Sequence, residues 1–446
     1  MTAQTSKIDQ ADLLSQTPYD AYVYSYPHKT AYRPLDPPVA LEEAWSAEDK
    51  NALFLYLHVP FCEMRCGFCN LFTTVKPGDD LMARYIEAIG RQARRVKAAL
   101  GPEARFARVA IGGGTPTFLS ETNLAALVEV AGGVMGADMA EVPMSVEMSP
   151  ETARPEKLKL LRAAGADRAS IGVQSFVDAE VGAISRAQRS DQVARALDAI
   201  RDAGFPTLNI DLMYGLPEQD VASWLASIEA ALRWKPEELY LYPLYVRPLT
   251  RMGQTRAEWD DDRLELYRRG RAMLLSRGYR QISMRMFRSE GAPDPFGPVY
   301  RCQADGMVGL GCGARSYTQQ LHYSSAYAVG PMNVKGIIRD FVARSDAEFE
   351  RAGYGFALDE EEVRRRHAIV SLLSEDGLDR AFYSRRFDAD PVADMPELLQ
   401  LISTGLAEDT GATINLTEAG LERSDAVGPW LFTRQVKALM GQYEAK

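Results

Sequence analysis

The sequence predicts an α/β fold: a curved parallel sheet of βα units, a partial or complete (β/α) barrel, followed by a mainly helical, winged-helix-like C-terminal appendage. Three observations carry that prediction. Short apolar, β-rich segments recur at 53–59, 108–112, 144–148, 169–173, 207–213 and 239–244. Helical patterns fill the gaps between them, and strands separated by one helix pair in parallel through right-handed crossovers. After about Ala328 the pattern turns helical and closes on INLTEAGLERS at 414–424, which reads as a strand leading into a helix.

Taken in order, residues 1–50 read as an extended arm packed on the barrel. They start polar, Met1 to Ser15, and are then rich in Tyr19, Tyr22, Tyr24, Tyr26, Pro27, Tyr32, Pro34, Pro37 and Pro38. The barrel is expected over 51–328 and the C-terminal domain over 329–446. Within the barrel, Ser190 is the expected N-cap of a helix with Val193, Leu197 and Ile200 on one face and Gly204 as its stop. Asp220 opens the next, with Val221, Trp224, Leu225, Ile228 and Leu232 on its stripe. Asp359 opens a helix through Val363 and Val370, and the charge run EEEVRRR at 360–366 reads as a solvated face with i,i+4 pairs.

Of 446 residues, 46% are hydrophobic and 25% charged, which places the chain among globular proteins. Lys and Arg total 51 against 61 Asp and Glu, a net charge of −10 that repels phosphate backbones and anionic lipid alike. Neither nucleic acid nor membrane is expected as a partner. With no apolar run near the roughly 18 residues of a spanning helix and no leader pattern, the expected location is cytoplasmic.

Five cysteines are present, three within eight residues: Cys62, Cys66 and Cys69 form C-x3-C-x2-C directly after the first strand. Three thiolates on one short loop suit three corners of a 4Fe-4S cubane and leave the fourth iron open. An open iron can chelate the amino and carboxylate groups of S-adenosylmethionine (SAM), and an electron passed through the cluster can break its C–S bond. The alternative is zinc, with His58, Cys302 or Cys312 as fourth ligand. Structural zinc loops pair C-x2-C with a second such pair, which this chain lacks. Cys302 and Cys312 otherwise read as small buried hydrophobes.

At the second strand's end stands IGGGTPTFL, whose Gly113, Gly114 and Thr115 let backbone approach a ligand closely. Later strand ends carry Glu147, Gln174 and Asp211, single polar residues at the rim where a barrel places ligand contacts. Arg186, in SRAQ, is a candidate partner for a carboxylate.

The cysteine loop with its YLHVPFC lead-in, then GGGTPT, SVEM, IGVQSF, SRAQ, DLMYGLP and GLGCGARSY, together resemble the radical SAM superfamily. More narrowly they resemble its HemN-like branch, which contains the oxygen-independent coproporphyrinogen III dehydrogenase and a haem chaperone. The resemblance implies a partial barrel, a 4Fe-4S cluster and two bound SAM molecules. Cys62, Cys66 and Cys69 would ligate iron. Tyr56 and Phe68 would lie against SAM; Gly113, Gly114, Thr115 and Glu147 would contact its methionyl end; Gln174, Arg186, Asp211 and Tyr245 would contact carboxylate or ribose. Ala314 and Arg315 fall near a further contact. Tyr56 and Glu147 would sit at the reacting centre. The implied partners are an electron donor such as flavodoxin or ferredoxin, a small unsaturated substrate and a companion biosynthetic enzyme.

Two departures bear on the branch. The coproporphyrinogen enzyme has a further cysteine two residues after the third ligand, where this chain has Leu71. The haem chaperone carries H-N-x-x-Y-W where this chain runs Ser283, Met284, Arg285, Met286, Phe287. The expected reaction is therefore methyl or methylene transfer to an sp2 carbon using both SAM molecules, with oxidative decarboxylation or haem carriage as the alternative.

Overall fold

The computed structural model describes residues 13, 17–23, 25–247, 249–254 and 262–444; Tyr24 and most of the polar start lie outside the described residues. The chain divides into two compact units. One comprises 32–280, 286–358 and the described C-terminal end; the other comprises the described residues up to Ala31, 281–285 and 359–442.

In the larger unit, strands β1 (Leu53–Val59), β2 (Phe106–Gly113), β3 (Met144–Met148), β4 (Ala166–Gln174), β5 (Thr207–Tyr214) and β6 (Glu238–Pro243) pair in parallel in chain order. Each is followed by a helix: α1 (Asp79–Leu100), α2 (Glu121–Glu129), α3 (Pro155–Ala163), α4 (Ser190–Asp202), α5 (Val221–Leu232) and α6 (Arg263–Ser276). Beyond β6 the sheet continues with the antiparallel strand Met286–Ser289 rather than closing, so the barrel is partial.

Two-residue alternation sorts the strand residues. Val109, Ile111, Val146, Ile171, Val173, Ile210, Leu212, Leu239 and Leu241 are buried on the helix-covered side. The alternate set is polar and faces the interior: Arg168 on β4 reaches Glu238 on β6 with a 2.7 Å ion pair. The helix caps divide. Asp220 caps α5 in a capping box with Ser223, whereas Ser190 is already inside α4 and its N–H donates to Asp178 Oδ1 at 2.9 Å.

On the β1 side the sheet adds Met307–Leu310 in parallel, then an antiparallel run of Arg315–Tyr317, Leu321–Ser324, Arg351–Ala357 and Arg33–Ala40. This places 32–50 and 329–358 in the barrel unit. Backbone pairing of Arg351–Ala357 on both edges moves the boundary past 328, to Leu358.

The smaller unit has the helix Glu360–Leu372, a three-stranded antiparallel sheet ordered Leu378–Asp379, Thr413–Leu416, Ala407–Asp409, and short helices around it. Asp359 caps its first helix, as expected. The run EEEVRRR is solvated only in part: Glu360 and Glu361 are exposed and pair i,i+4 with Arg364 and Arg365 as expected, but the rest turns inward. Seven consecutive residues wind almost twice around a helix, so some must point inward. Glu362 and Arg365 are 2% and 7% exposed. Glu362 accepts from the Tyr26 hydroxyl and from Thr433 Oγ1 (2.7 Å), while Arg365 donates to Leu431 O (2.8 Å). Tyr26 also lays its ring on Phe432, centroids 5.0 Å apart, so this part of the N-terminal arm packs on the C-terminal helices, within the smaller unit. No described helix is long and apolar enough to cross a membrane.

Candidate functional site

The site lies at the C-terminal ends of β1 to β6. The chain leaves β1 at Val59 and makes the cysteine loop, which is pinned at several points. Gly67 N–H donates to Ile184 O (2.8 Å), Met252 N–H to Gly67 O (3.0 Å), and the Tyr327 hydroxyl to Asn70 O (2.7 Å). Gly67 sits so close to Ile184 that a Cβ there would lie 2.9 Å from its carbonyl oxygen.

The glycine run of β2 is the second wall. Gly114 N–H donates to Val59 O and Thr115 N–H to Phe61 O, at 2.7 and 2.8 Å. A side chain at Gly114 would come within 2.8 Å of Cys62 Sγ, and Gly113 has φ +120° with the His58 ring 2.6 Å from where a Cβ would stand. Thr115 Oγ1 donates to Cys62 Sγ at 3.7 Å.

The three thiols are half-buried and form no disulfide. Burial, then the neighbouring Cys69 and Cys66, push the Cys62 thiol up to about 12, and burial also raises Cys69. Arg186 Nη1 donates to Cys66 Sγ at 3.2 Å; its Nε is held by Gln188 Oε1 (2.8 Å) and its Nη2 by Gly172 O. Arg186, expected to meet a ligand carboxylate, is thus directed at a cysteine sulfur in the structure.

This donor set fits an iron–sulfur cubane. Thiolates crowded in one low-dielectric loop repel one another, and iron removes that repulsion. Among the described residues no three His, Cys, Asp or Glu side chains close on a single-ion position. The proposed fourth zinc ligands are committed elsewhere. His58 Nδ1 meets Tyr56 Oη (3.2 Å) and its Nε2 meets Phe72 O (3.3 Å), and Cys312 is buried with its thiol on Tyr85 Oη (3.7 Å). Cys302, expected buried, is exposed.

The remaining strand ends converge on the interior. Glu147 accepts from Gly113 N–H at 2.9 Å; solvent reaches its carboxylate although barrel wall surrounds it, and burial raises its pKa. Asp211 accepts from Asn209 Nδ2 at 2.8 Å. Burial pushes its carboxyl up to about 7, opposed by Asn209 and Arg168 and helped by Glu147. Gln174 ends β4 at φ +71°, a conformation costly for a residue with a Cβ and common at functional sites. Phe68 and Tyr242 pack on the apolar cluster of Ile184, Met213, Leu216, Leu244 and Met252. Tyr245 is half-buried under the Arg247 guanidinium, 4.8 Å from its ring centroid. Ala314 and Arg315 sit on the sheet extension beside β1.

From the sequence, Tyr240 and Tyr242 are expected to line a flat substrate's pocket, whereas Arg108, Ser145, Arg168, Asn209 and Glu238 were passed over. Their signal was present: polar residues two apart on one strand face, as in Ser145-x-Glu147, Asn209-x-Asp211 and Glu238-x-Tyr240.

Comparison with known proteins places this geometry. The profile of the radical SAM superfamily matches residues 56–228. The oxygen-independent coproporphyrinogen III oxidase of Paracoccus denitrificans is 32% identical over 297 residues; the match covers 63% of this chain and 65%, just under two thirds, of that protein. The heme chaperone HemW of Bacillus subtilis is 27% identical over 377 residues, covering 82% of this chain and 95% of the chaperone. The solved coproporphyrinogen III oxidase (HemN) of Escherichia coli shares the fold at a TM-score of 0.78 and 22% identity, over 91% of this chain and 96% of that one. A loop of three thiols at the mouth of an open parallel sheet, together with the superfamily profile over 56–228, gives the chain a radical SAM domain, which implies a 4Fe-4S cluster and SAM, and the relatives it is similar to are HemN-like proteins.

Proposed function

We propose that this enzyme acts by hydrogen-atom abstraction on a carboxylated, porphyrinogen-type tetrapyrrole, in an oxidation of the kind the Paracoccus relative is named for. The observation that carries this reading is the agreement with porphyrinogen oxidases and the heme chaperone along most of the chain. When bound, the cluster and SAM supply a one-electron reductant and a strong hydrogen-atom acceptor. Cys62, Cys66 and Cys69 would hold the cluster, with Arg186 offsetting thiolate charge. Glu147, with the backbone of Gly113, Gly114 and Thr115, suits the ammonium end of SAM. Asp211 and Gln174 suit its hydroxyl and carboxylate groups, and Tyr56, Phe68 and Tyr245 its apolar and aromatic faces. Phe68 and Tyr242, seated on the apolar cluster, keep bulk water from the reacting centre. The test is anaerobic turnover of coproporphyrinogen III with SAM and reductant. Loss of carboxyl groups by mass spectrometry is expected; SAM cleavage with an unchanged tetrapyrrole overturns the reading.

A second reading, methyl or methylene transfer with two SAM molecules, is favoured by Leu71. It stands on the cysteine loop, 49% exposed, where the coproporphyrinogen enzyme has a thiol. Deuterium in the SAM methyl group separates the two: label entering 5′-deoxyadenosine during turnover supports methyl transfer, and unlabelled product removes it.

A further inference from the structure

We propose that the floor of the barrel is an anion socket in which the Arg108 guanidinium receives a carboxylate of the substrate, far below the cysteine loop. The inference rests on the tetrapyrrole reading and adds to it where an acid group is held.

Arg108 is on β2, yet it lies in the field of Glu238 on β6 and of Arg288 on the strand after it, groups that face it only across the interior. The Glu238 carboxylate is fully used by two other guanidinium groups. Arg168 Nε takes Glu238 Oε2 at 2.7 Å, and Arg288 Nη1 takes Oε1. Arg168 is further held by Ser145 Oγ (2.9 Å), and Arg288 by Pro293 O. Asp167 attracts Arg108 as well, but its Oδ1 accepts from the Met144 N–H. Among the described residues the Arg108 guanidinium makes no hydrogen bond or ion pair, although it is half-buried and burial opposes its charge. Five donors on a partly desolvated cation are costly to leave unused, and a carboxylate is the planar anion that matches them two at a time.

The surroundings are those of a slot for a flat ligand. Tyr240 and Tyr242 lie nearly parallel, centroids 5.8 Å apart at 19°, and Arg168 stands over Tyr240 at 5.8 Å. The segment 290–306 lies at the N-terminal ends of the strands: Tyr300 packs edge-on against Phe54 at 5.4 Å, and Gly297 is so close to Glu141 that a Cβ would lie 2.6 Å from its carbonyl oxygen. A ligand thus enters from the cysteine side. Arg108 is five residues below Gly113, roughly 17 Å at about 3.3 Å per residue, so a molecule touching both carries its acid group on a long, flat frame.

The test uses the cluster-loaded protein and two fluorescent probes, coproporphyrin III and its tetramethyl ester, titrated against wild type, Arg108→Met and Arg108→Lys. The acid is expected to bind at least about tenfold tighter than the ester. Arg108→Met should lose about that factor for the acid and leave the ester unchanged, and Arg108→Lys should recover part of it. Because Arg108 has no partner to abandon, Arg108→Met should keep or raise the melting temperature. If wild type binds acid and ester alike, or Arg108→Met binds the acid as wild type does, the socket is wrong and the tetrapyrrole reading stands. If wild type binds neither probe, the tetrapyrrole reading falls and takes the socket with it.

Discussion

The two units both hold charge in their interiors, but they treat it differently. In the smaller unit the buried charges of Arg285, Asp425 and Glu362 are tightly partnered. Arg285 and Asp425, 5% and 1% exposed, form an ion pair, and the Arg285 guanidinium lies 3.9 Å from the Tyr22 ring centroid. Glu362 binds Tyr26 and Thr433. In the barrel, Glu147 is open to solvent, Arg108 makes no hydrogen bond among the described residues, and Asp211 is held near a neutral form. Buried polar groups that are satisfied fix a fold. Groups left short of partners in a lined cavity are kept for something that binds.

The comparison breaks most visibly at the cysteine loop. Replacing Cys62, Cys66 and Cys69 together with Ala should remove all of the about four irons expected per chain, read by iron analysis and anaerobic absorption. The same change at Cys302 or Cys312 should leave iron content intact.

In the smaller unit the effect should be on stability alone. Asp425→Ala strands the Arg285 charge and should cost about 3–5 kcal/mol, measured by denaturant unfolding, with iron per folded chain unaltered. Arg285→Met combined with Asp425→Leu should recover most of that loss, because a matched apolar pair abandons no charge.

At the boundary between structure and site stands Gly113. Gly113→Ala sets a Cβ against His58 at positive φ and should cost roughly 1–3 kcal/mol while also weakening SAM retention in equilibrium dialysis. Equal stability and SAM binding would show that β2 shifts to make room. A smaller loss, about 1–2 kcal/mol, is expected for Tyr26→Phe, which leaves a buried Glu362 oxygen without its donor. It should move the unfolding midpoint and not SAM cleavage.

The mildest effect is a slope. Asp211 is pushed up to about 7 in the folded chain, from 3.8 for a free aspartate. Between those two values the folded state holds a proton that the unfolded chain releases, so this carboxyl works against folding increasingly as pH rises from about 4 to about 7. Asp211→Asn should flatten that part of the stability–pH curve relative to wild type. Parallel curves would mean that Asp211 ionises normally.

What the sequence determined by itself was whatever is encoded in local spacing. Three cysteines in eight residues can act only on one loop. Apolar runs separated by single helical patterns leave parallel pairing as the economical topology, and Asp220 and Asp359 announce helix starts through hydrogen bonds made within four residues. Tertiary structure decided what depends on partners far along the chain. The run at 360–366 reads as solvated because its acids and bases stand four apart, and Glu360 and Glu361 are exposed in such pairs, but Glu362 is buried because Tyr26 and Thr433, some 340 residues earlier and 70 later, complete it. Arg186 was read as a ligand contact, and the structure adds that its guanidinium donates to Cys66, 120 residues away. Arg108 drew no attention at all. Its inward aim follows from strand alternation, but its lack of a partner is decided by Glu238, which two other arginines already occupy, and that competition exists only once six strands have curved around a common interior.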